Sequence, residues 1–404
     1  MTSPASLPYG RQLIEQDDID AVVEVLRGEW LTGGPAVARF EDALSDATGA
    51  PHAVVCANGT AALHMAAAAL GLGPGDRVIV PAVTFLATAN AARYVGAEVV
   101  FADVDAETGL MTTETLSEAL ERAGRDGGRV RAVMPVHLNG QVADPQGIWR
   151  VASEAGLEVV DDCCHAVGTS FDTPQGVARV GEGRHARMSV FSFHPVKTVA
   201  MGEGGAVTTG DPVLAERLRL IRNHGMTRDP ERFTQAGEAF DADGAANPWY
   251  YEMAEPGYNF RASDMQCALG ASQMAKLDRF VATRRGLAAR YDEKLAQFAP
   301  LVRPAGRVTG CEPAWHLYVV LIDFEALGLS RATVMRKLSQ KGVGTQVHYL
   351  PVNRQPYYRA RYGEIALPGA DAYYARCLSL PLFAAMTEAD VDRVVEAIAE
   401  ICSP

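Results

Sequence analysis

Residues Ser189 to Gly205 read SVFSFHPVKTVAMGEGG, and the fold turns on how that stretch is taken. It opens as an apolar, strand-like run, places Ser192, His194 and Lys197 within six residues, and closes on Gly202, Glu203, Gly204 and Gly205. A lysine between an apolar strand and a glycine-rich turn fits a buried, chemically used amine, since a dry pocket strips its charge and the neutral amine condenses with aldehydes. Within these residues alone, an ordinary solvated lysine in a surface turn fits as well. The surrounding chain has to decide.

Outward from this stretch, short apolar runs alternate with helical patterns. Residues 53–56, 78–80, 99–101, 132–136 and 158–160 read as strands, and 61–70, 87–94, 113–123 and 148–155 as the helices between them. Apolar strands separated by helices predict an α/β fold with a mostly parallel sheet covered on both faces. Two amphipathic helices, 15–27 and 36–48, precede this pattern. Beyond Gly205 come a strand at 206–209, a helix at 212–222 and a polar, irregular stretch at 226–257, long enough to suggest function or flexibility. A helical region, 263–298, leads into an α+β pattern with strands at 317–322 and 344–349 and helices at 332–341 and 387–401. The expected division is an N-terminal segment and large domain, 1–262, and a helical linker with a smaller α+β domain, 263–404.

At 404 residues, two domains are the default. The net charge of −12 argues against nucleic-acid binding, which needs a basic patch, but leaves room for a small anion in a local pocket. The first residues carry neither a charged n-region nor an apolar h-region, and no apolar run approaches the roughly 18 residues that span a bilayer. Seven scattered cysteines do not read as a disulfide framework. The expectation is a reduced, soluble, cytoplasmic protein with no nucleic-acid or membrane partner.

Four further clusters bear on chemistry. Asn58-Gly59-Thr60, between a strand and a helix, combines a glycine, free helix N–H groups and a hydroxyl, which suits a phosphate. In VVDDCCH, 159–165, a strand runs into two acids, two thiols and an imidazole. Adjacent cysteines ligate zinc poorly and no C-x-x-C accompanies them, so no metal is expected. An acid at the carboxyl end of a parallel strand, where open α/β sheets bind ligands, competes with a plain helix cap at Asp162. In PAVTFLAT, 81–88, Phe85 follows a strand, and core packing explains it equally well. A lone histidine in VHY, 347–349, is more often structural. Together the clusters supply an amine, an acid, a phosphate cradle and an aromatic plate, the set that holds pyridoxal 5'-phosphate (PLP).

With these motifs in place, the chain resembles the DegT/DnrJ/EryC1/StrS aminotransferases. The motifs are NGTAAL from Asn58, VTFLATANA from Val83, DDxxHAxG from Asp161, SFHPVKT from Ser192, GEGGA from Gly202 and GYNFRASDxQCALG from Gly257. The resemblance runs from Gly10 to Phe383 and implies the fold type I, aspartate aminotransferase-like architecture and homodimers with shared active sites. It implies that Lys197 forms the Schiff base, Asp162 partners the pyridinium nitrogen, His165 sits beside the phenolic oxygen and Phe85 stacks on the ring. Gly59, Thr60 and Ser192 would hold the phosphate, with Asn259 reaching it from the partner subunit. Thr32, His224, His348 and Tyr349 match active-site segments and are substrate candidates. Cys163-Cys164 departs from the usual small residues without disturbing these assignments. Relatives with histidine for the lysine catalyse sugar dehydration, and Lys197 argues against that reaction. The phrases YGRQLI, LTGGP and GVGTQVHYLPV are most similar to aminotransferases of the pseudaminic-acid pathway. They imply L-glutamate as donor and the 4-keto group of a UDP-2-acetamido-2,6-dideoxy sugar as acceptor, with GDP- or dTDP-linked 4-keto-6-deoxy sugars as alternatives.

Overall fold

The computed structural model describes residues 6–125 and 129–402. Helices α1 (Gln16–Arg27) and α2 (Pro35–Thr48) come first. Val25 on α1 and Phe40 and Leu44 on α2 are buried, while the acidic first turn of α1 complements the helix dipole. The N-terminus of α2 is capped from far along the chain. The Asp264 carboxylate accepts the backbone N–H groups of Gly34 (2.8 Å) and Ala36 (3.1 Å).

The central sheet follows. Its elements are β1 (His52–Cys56), α3 (Gly59–Ala69), β2 (Asp76–Pro81), α4 (Leu86–Tyr94), β3 (Glu98–Ala102), α5 (Thr113–Arg125), β4 (Arg129–Val133), α6 (Pro145–Glu154) and β5 (Glu158–Asp162). A hairpin, β6 (Ser170–Thr173) and β7 (Gly176–Arg179), precedes β8 (Met188–Ser192), β9 (Gly205–Thr209) and α7 (Pro212–Arg222). The seven strands lie in the order β1-β9-β8-β5-β4-β2-β3. β9 runs antiparallel to both its neighbours, and every other pairing is parallel. Helix α3 is buried almost all round, and its alanines let it nest between β8, β9, α4 and α7.

Residues 226–257 hold only β10 (Met226–Thr227), the single turn α8 (Ala236–Ala239), β11 (Glu252–Met253) and a 3-10 turn. Helices α9 (Asp264–Met274) and α10 (Leu277–Leu295) follow, then β12 (Val302–Pro304), β13 (Cys311–Glu312), which extends the β6–β7 hairpin, and β14 (Tyr318–Ile322). The chain ends through α11 (Arg331–Gln340), α12 (Pro356–Tyr362), α13 (Pro368–Arg376), β15 (Cys377–Leu380) and α14 (Glu388–Cys402). Strands β12, β14 and β15 form an antiparallel sheet with its own core. Helix α10 serves two cores: Leu277 and Val281 pack with the helices beside the large sheet, and Leu287, Tyr291 and Leu295 with the C-terminal sheet.

One expected strand is absent. Residues 344–349 form no ladder and make only isolated, long-range backbone pairings, Gly344 N–H to Leu7 O and Gln346 with Ser379. The N-terminal segment at Leu7 takes up the Gly342 carbonyl and the Gly344 N–H, on either side of Val343, and the chain then turns into the cavity described next. No helix among the described residues is long and apolar enough to cross a membrane.

Candidate active site

A cavity of about 720 Å³ opens at the carboxyl ends of β5 and β8, walled on its far side by residues 346–350. Its position follows the rule for open α/β sheets. Alternation along β5 sorts the two acids. Asp162 and Cys164 line the cavity, whereas Asp161 and Cys163 face the opposite way. Asp162 is 4% exposed and both its oxygens are engaged: Thr88 Oγ1 donates to Oδ2 (2.7 Å) and the Cys164 backbone N–H to Oδ1 (3.1 Å). Thr88 has one proton, spent on Asp162, so the 2.8 Å contact with Thr84 is a donation from Thr84.

Lys197 sits on a loop pinched at its base. Phe193 N–H donates to Gly204 O, Met201 N–H to Phe193 O, and Lys197 N–H to His194 O. The side chain keeps some accessible surface in the cavity, yet burial pushes its pKa below the ordinary lysine value, with Cys164 and Asp162 pulling the other way. Burial, then Asp162, holds the Cys164 thiol well above its usual range. Beside the lysine loop, a Cβ on Gly59 would stand 2.8 Å from Ser192 Cβ, and one on Gly205 would fall inside the Asn58 backbone. Glycine at both positions lets the β1–α3 turn, β8 and β9 converge on one cradle, with the N-terminus of α3 opening into it and Asn58 Oδ1 capping Ala61 N–H.

His165, His316 and His348 are all buried at the cavity wall. Burial first, and Lys197 next, lowers each imidazole pKa, for His348 to about 3 and for the other two well below the usual value. His348 Nδ1 meets Ser379 Oγ at 2.7 Å. His165 Nε2 lies 3.2 Å from the Tyr349 hydroxyl. The ring of His316 is 4.4 Å from that of His165, and its Nδ1 is buried without a partner. Phe85 lines the mouth, 56% exposed, with its ring 6.2 Å from that of Tyr349.

The cavity thus brings together Gly59, Thr60, Phe85, Asp162, His165, Ser192, Lys197, His348 and Tyr349. It does not include Asn259, Thr32 or His224, which are exposed on this chain. They lie along one nearby surface: Asn223 pairs with Asn259, His224 N–H donates to Tyr258 O, and Thr32 pairs with Ser263. Sequence reasoning passed over Thr84, Thr88, His316 and Tyr9. Thr84 and Thr88 stand one helical turn apart beside Phe85, a spacing that could have flagged them. Nothing local marks His316 or Tyr9.

Among the described residues one group of metal-capable side chains stands behind the strand, His137, Asp161 and Cys163, all buried. Ala143 N–H donates to His137 Nδ1 (3.3 Å), which leaves the ring proton on Nε2, 3.5 Å from Asp161. That nitrogen has no lone pair to offer a cation, so a histidine–carboxylate pair accounts for the group.

The sequence model of the DegT/DnrJ/EryC1/StrS aminotransferase family matches residues 12–399. The spore coat polysaccharide biosynthesis protein SpsC of Bacillus subtilis (strain 168) is 38% identical over 398 residues, 98% of this chain and 97% of that protein. Among solved structures, Helicobacter pylori PseC, an aminotransferase involved in the biosynthesis of pseudoaminic acid, superposes with a TM-score of 0.86 at 26% identity, covering 98% of this chain and 99% of that one. The PLP form of the putative sugar aminotransferase Spr1654 from Streptococcus pneumoniae gives 0.85 at 26%, covering 98% of each. With a lysine, an anchored carboxylate and a glycine-lined cradle in one cavity of this fold, the chain belongs to the DegT/DnrJ/EryC1/StrS family and is a PLP-dependent sugar aminotransferase of fold type I.

Proposed function

We propose that the protein moves an amino group from L-glutamate to the 4-keto group of a nucleotide-linked deoxysugar, UDP-2-acetamido-2,6-dideoxy-4-keto-hexose in the first instance. The observation that carries the reading is the enclosed Lys197, facing the same cavity as a carboxylate fixed by Thr88. The likeness to PseC, an aminotransferase involved in the biosynthesis of pseudoaminic acid, supports the sugar.

The residues fit PLP. A Cβ on Gly59 would collide with Ser192, so glycine lets the two come together, and with Thr60 and the first turn of α3 they would hold a phosphate. Asp162 would hold a proton on the ring nitrogen, Phe85 and His165 would flank the ring, and Lys197 would bear the linkage and then carry the proton between carbon atoms. When bound, the cofactor supplies an aldehyde for that linkage and an electron-accepting ring. Lys197 can serve as base because its burial favours the uncharged amine.

Both substrates are anions, a dicarboxylate and a diphosphate, yet among the described lining residues Lys197 is the one lysine or arginine. The cations must come from elsewhere. In this reading a second copy covers the cavity and brings Asn259 to the phosphate, with Thr32 and His224 on the same exposed surface as further substrate contacts. His348 and Tyr349 would meet the sugar from within the chain. The expected division into parts 1–262 and 263–404 belongs to the same reading and puts the cavity where they meet.

Purified protein given glutamate alone should lose the absorbance of lysine-linked PLP and release 2-oxoglutarate. Retained absorbance with no 2-oxoglutarate would sink the amino-donor assignment. A panel of UDP-, GDP- and dTDP-linked 4-keto-6-deoxy sugars, scored for amino-sugar product, tests the acceptor. Lys197→Ala should stay folded, lose the linked chromophore and show no turnover.

A further inference from the structure

Two side chains meet across the cavity, one from the end of β5 and one from the C-terminal part of the chain: His165 Nε2 and the Tyr349 hydroxyl, 3.2 Å apart. The direction of this hydrogen bond is set on the other side of the imidazole. Asn139 backbone N–H donates to His165 Nδ1 at 3.4 Å. Nδ1 therefore carries the lone pair and Nε2 the proton, so the imidazole donates and the tyrosine oxygen accepts. The backbone that presents this N–H is tightly placed. Asn139 is in the left-handed region at φ 63°, and at Gly140 a Cβ would stand 2.9 Å from Trp315 N and 3.1 Å from His165 O.

The proton on Tyr349 is left without an acceptor: among the described residues its hydroxyl makes no other hydrogen bond, and its side chain lines the cavity. His165, with both ring nitrogens engaged, has nothing left to offer a ligand.

We propose that the Tyr349 hydroxyl, aimed by His165, is the hydrogen-bond donor to an electron-rich oxygen of the ligand in the cavity, and that His165 is a positioning residue. The inference rests on the PLP and keto-sugar reading above and amends one part of it, the expectation that His165 itself meets the phenolic oxygen. The acceptor is either that phenolic oxygen or an oxygen of the sugar; the chemistry of recognition is the same. Burial keeps the tyrosine pKa well above and the histidine pKa well below their ordinary values, so the direction of the bond holds across neutral pH.

The test compares wild-type holoenzyme with Tyr349→Phe, His165→Leu, His165→Gln and the Phe/Leu double variant. The first readout is the pH midpoint of the lysine-linked cofactor chromophore without substrate. A donor to the phenolic oxygen favours the deprotonated chromophore, so its loss should raise the midpoint by about one pH unit, the size of a hydrogen bond to a charged oxygen. If the acceptor is on the sugar, the midpoint stays put and KM for the keto-sugar rises about tenfold while the glutamate half-reaction is unchanged. In either case His165→Leu should move the same quantity less far, His165→Gln should restore most of it through its own N–H, and the double variant should go no further than Tyr349→Phe. Midpoint and KM within twofold of wild type in Tyr349→Phe, or additive effects in the double variant, would overturn the proposal while leaving the cofactor reading intact. A wild-type protein that forms no borohydride-reducible link to Lys197 would overturn both.

Discussion

At the scale of single residues, the site works by spending protons in one direction. Thr84 donates to Thr88 and Thr88 to Asp162, so the carboxylate is held by two hydroxyls in series and by the Cys164 N–H. The sequence offered Asp162 with a helix cap as its competitor; strand alternation turns Asp162 into the cavity and Asp161 toward His137. Thr88→Val removes one hydrogen bond to a buried carboxylate, about 1.5–3 kcal/mol. PLP affinity measured by equilibrium titration should fall about tenfold or more, with Thr88→Ser close to wild type. Wild-type affinity in Thr88→Val with a loss confined to Thr88→Ser would mean that the methyl group, and not the hydroxyl, matters at this position.

At the scale of elements, most boundaries were legible because periodicity and punctuation agree with the tertiary structure. Pro35, Pro145 and Pro212 each stand at or near a helix start, where their missing N–H costs nothing. The strand expected at 344–349 failed for a reason outside its own sequence: its backbone partners come from Leu7 and Ser379, each of which makes one isolated bridge instead of a ladder. The cap on α2 is equally non-local. Asp264, 1% exposed, closes that helix from the start of α9. Asp264→Ala leaves two backbone N–H groups at the start of α2, those of Gly34 and Ala36, without an acceptor and should cost about 1–3 kcal/mol, read as a lower urea midpoint with unchanged slope. An unchanged midpoint would show that water replaces the carboxylate at no cost.

At the scale of the whole molecule, folding closes the C-terminal part over β5 and so collects three buried imidazoles around one lysine. Their pKa values are lowered, so the unfolded chain binds protons first as the pH drops below about 6.5. Stability is therefore complete above that pH and is lost below it, at up to about 1.4 kcal/mol per pH unit for each histidine, until the folded-state values are reached, about 3 for His348. Denaturant unfolding between pH 7 and 5 should show this decline. His316→Gln, which removes one of these titrating groups, should flatten it measurably, the rest of the decline coming from His165, His348 and the likewise lowered His64 and His185. A variant slope equal to that of the wild type would mean that His316 is protonated in the folded state as well.

The chain by itself determined the alternation of strands and helices, the amine at Lys197 and the glycines that let the backbone pack closely after it, because these depend on side-chain periodicity and on conformations that only certain residues adopt. Tertiary structure decided which acid faces the cavity, which hydroxyls hold it, that His316 joins a site whose lysine lies more than a hundred residues earlier, and that Tyr349 meets His165 there. It also left Asn259, Thr32 and His224 outside the chain's own cavity. The physical reason is common to all of these: hydrogen-bond direction and burial belong to pairs of groups brought together by packing, and no local pattern in either partner records them.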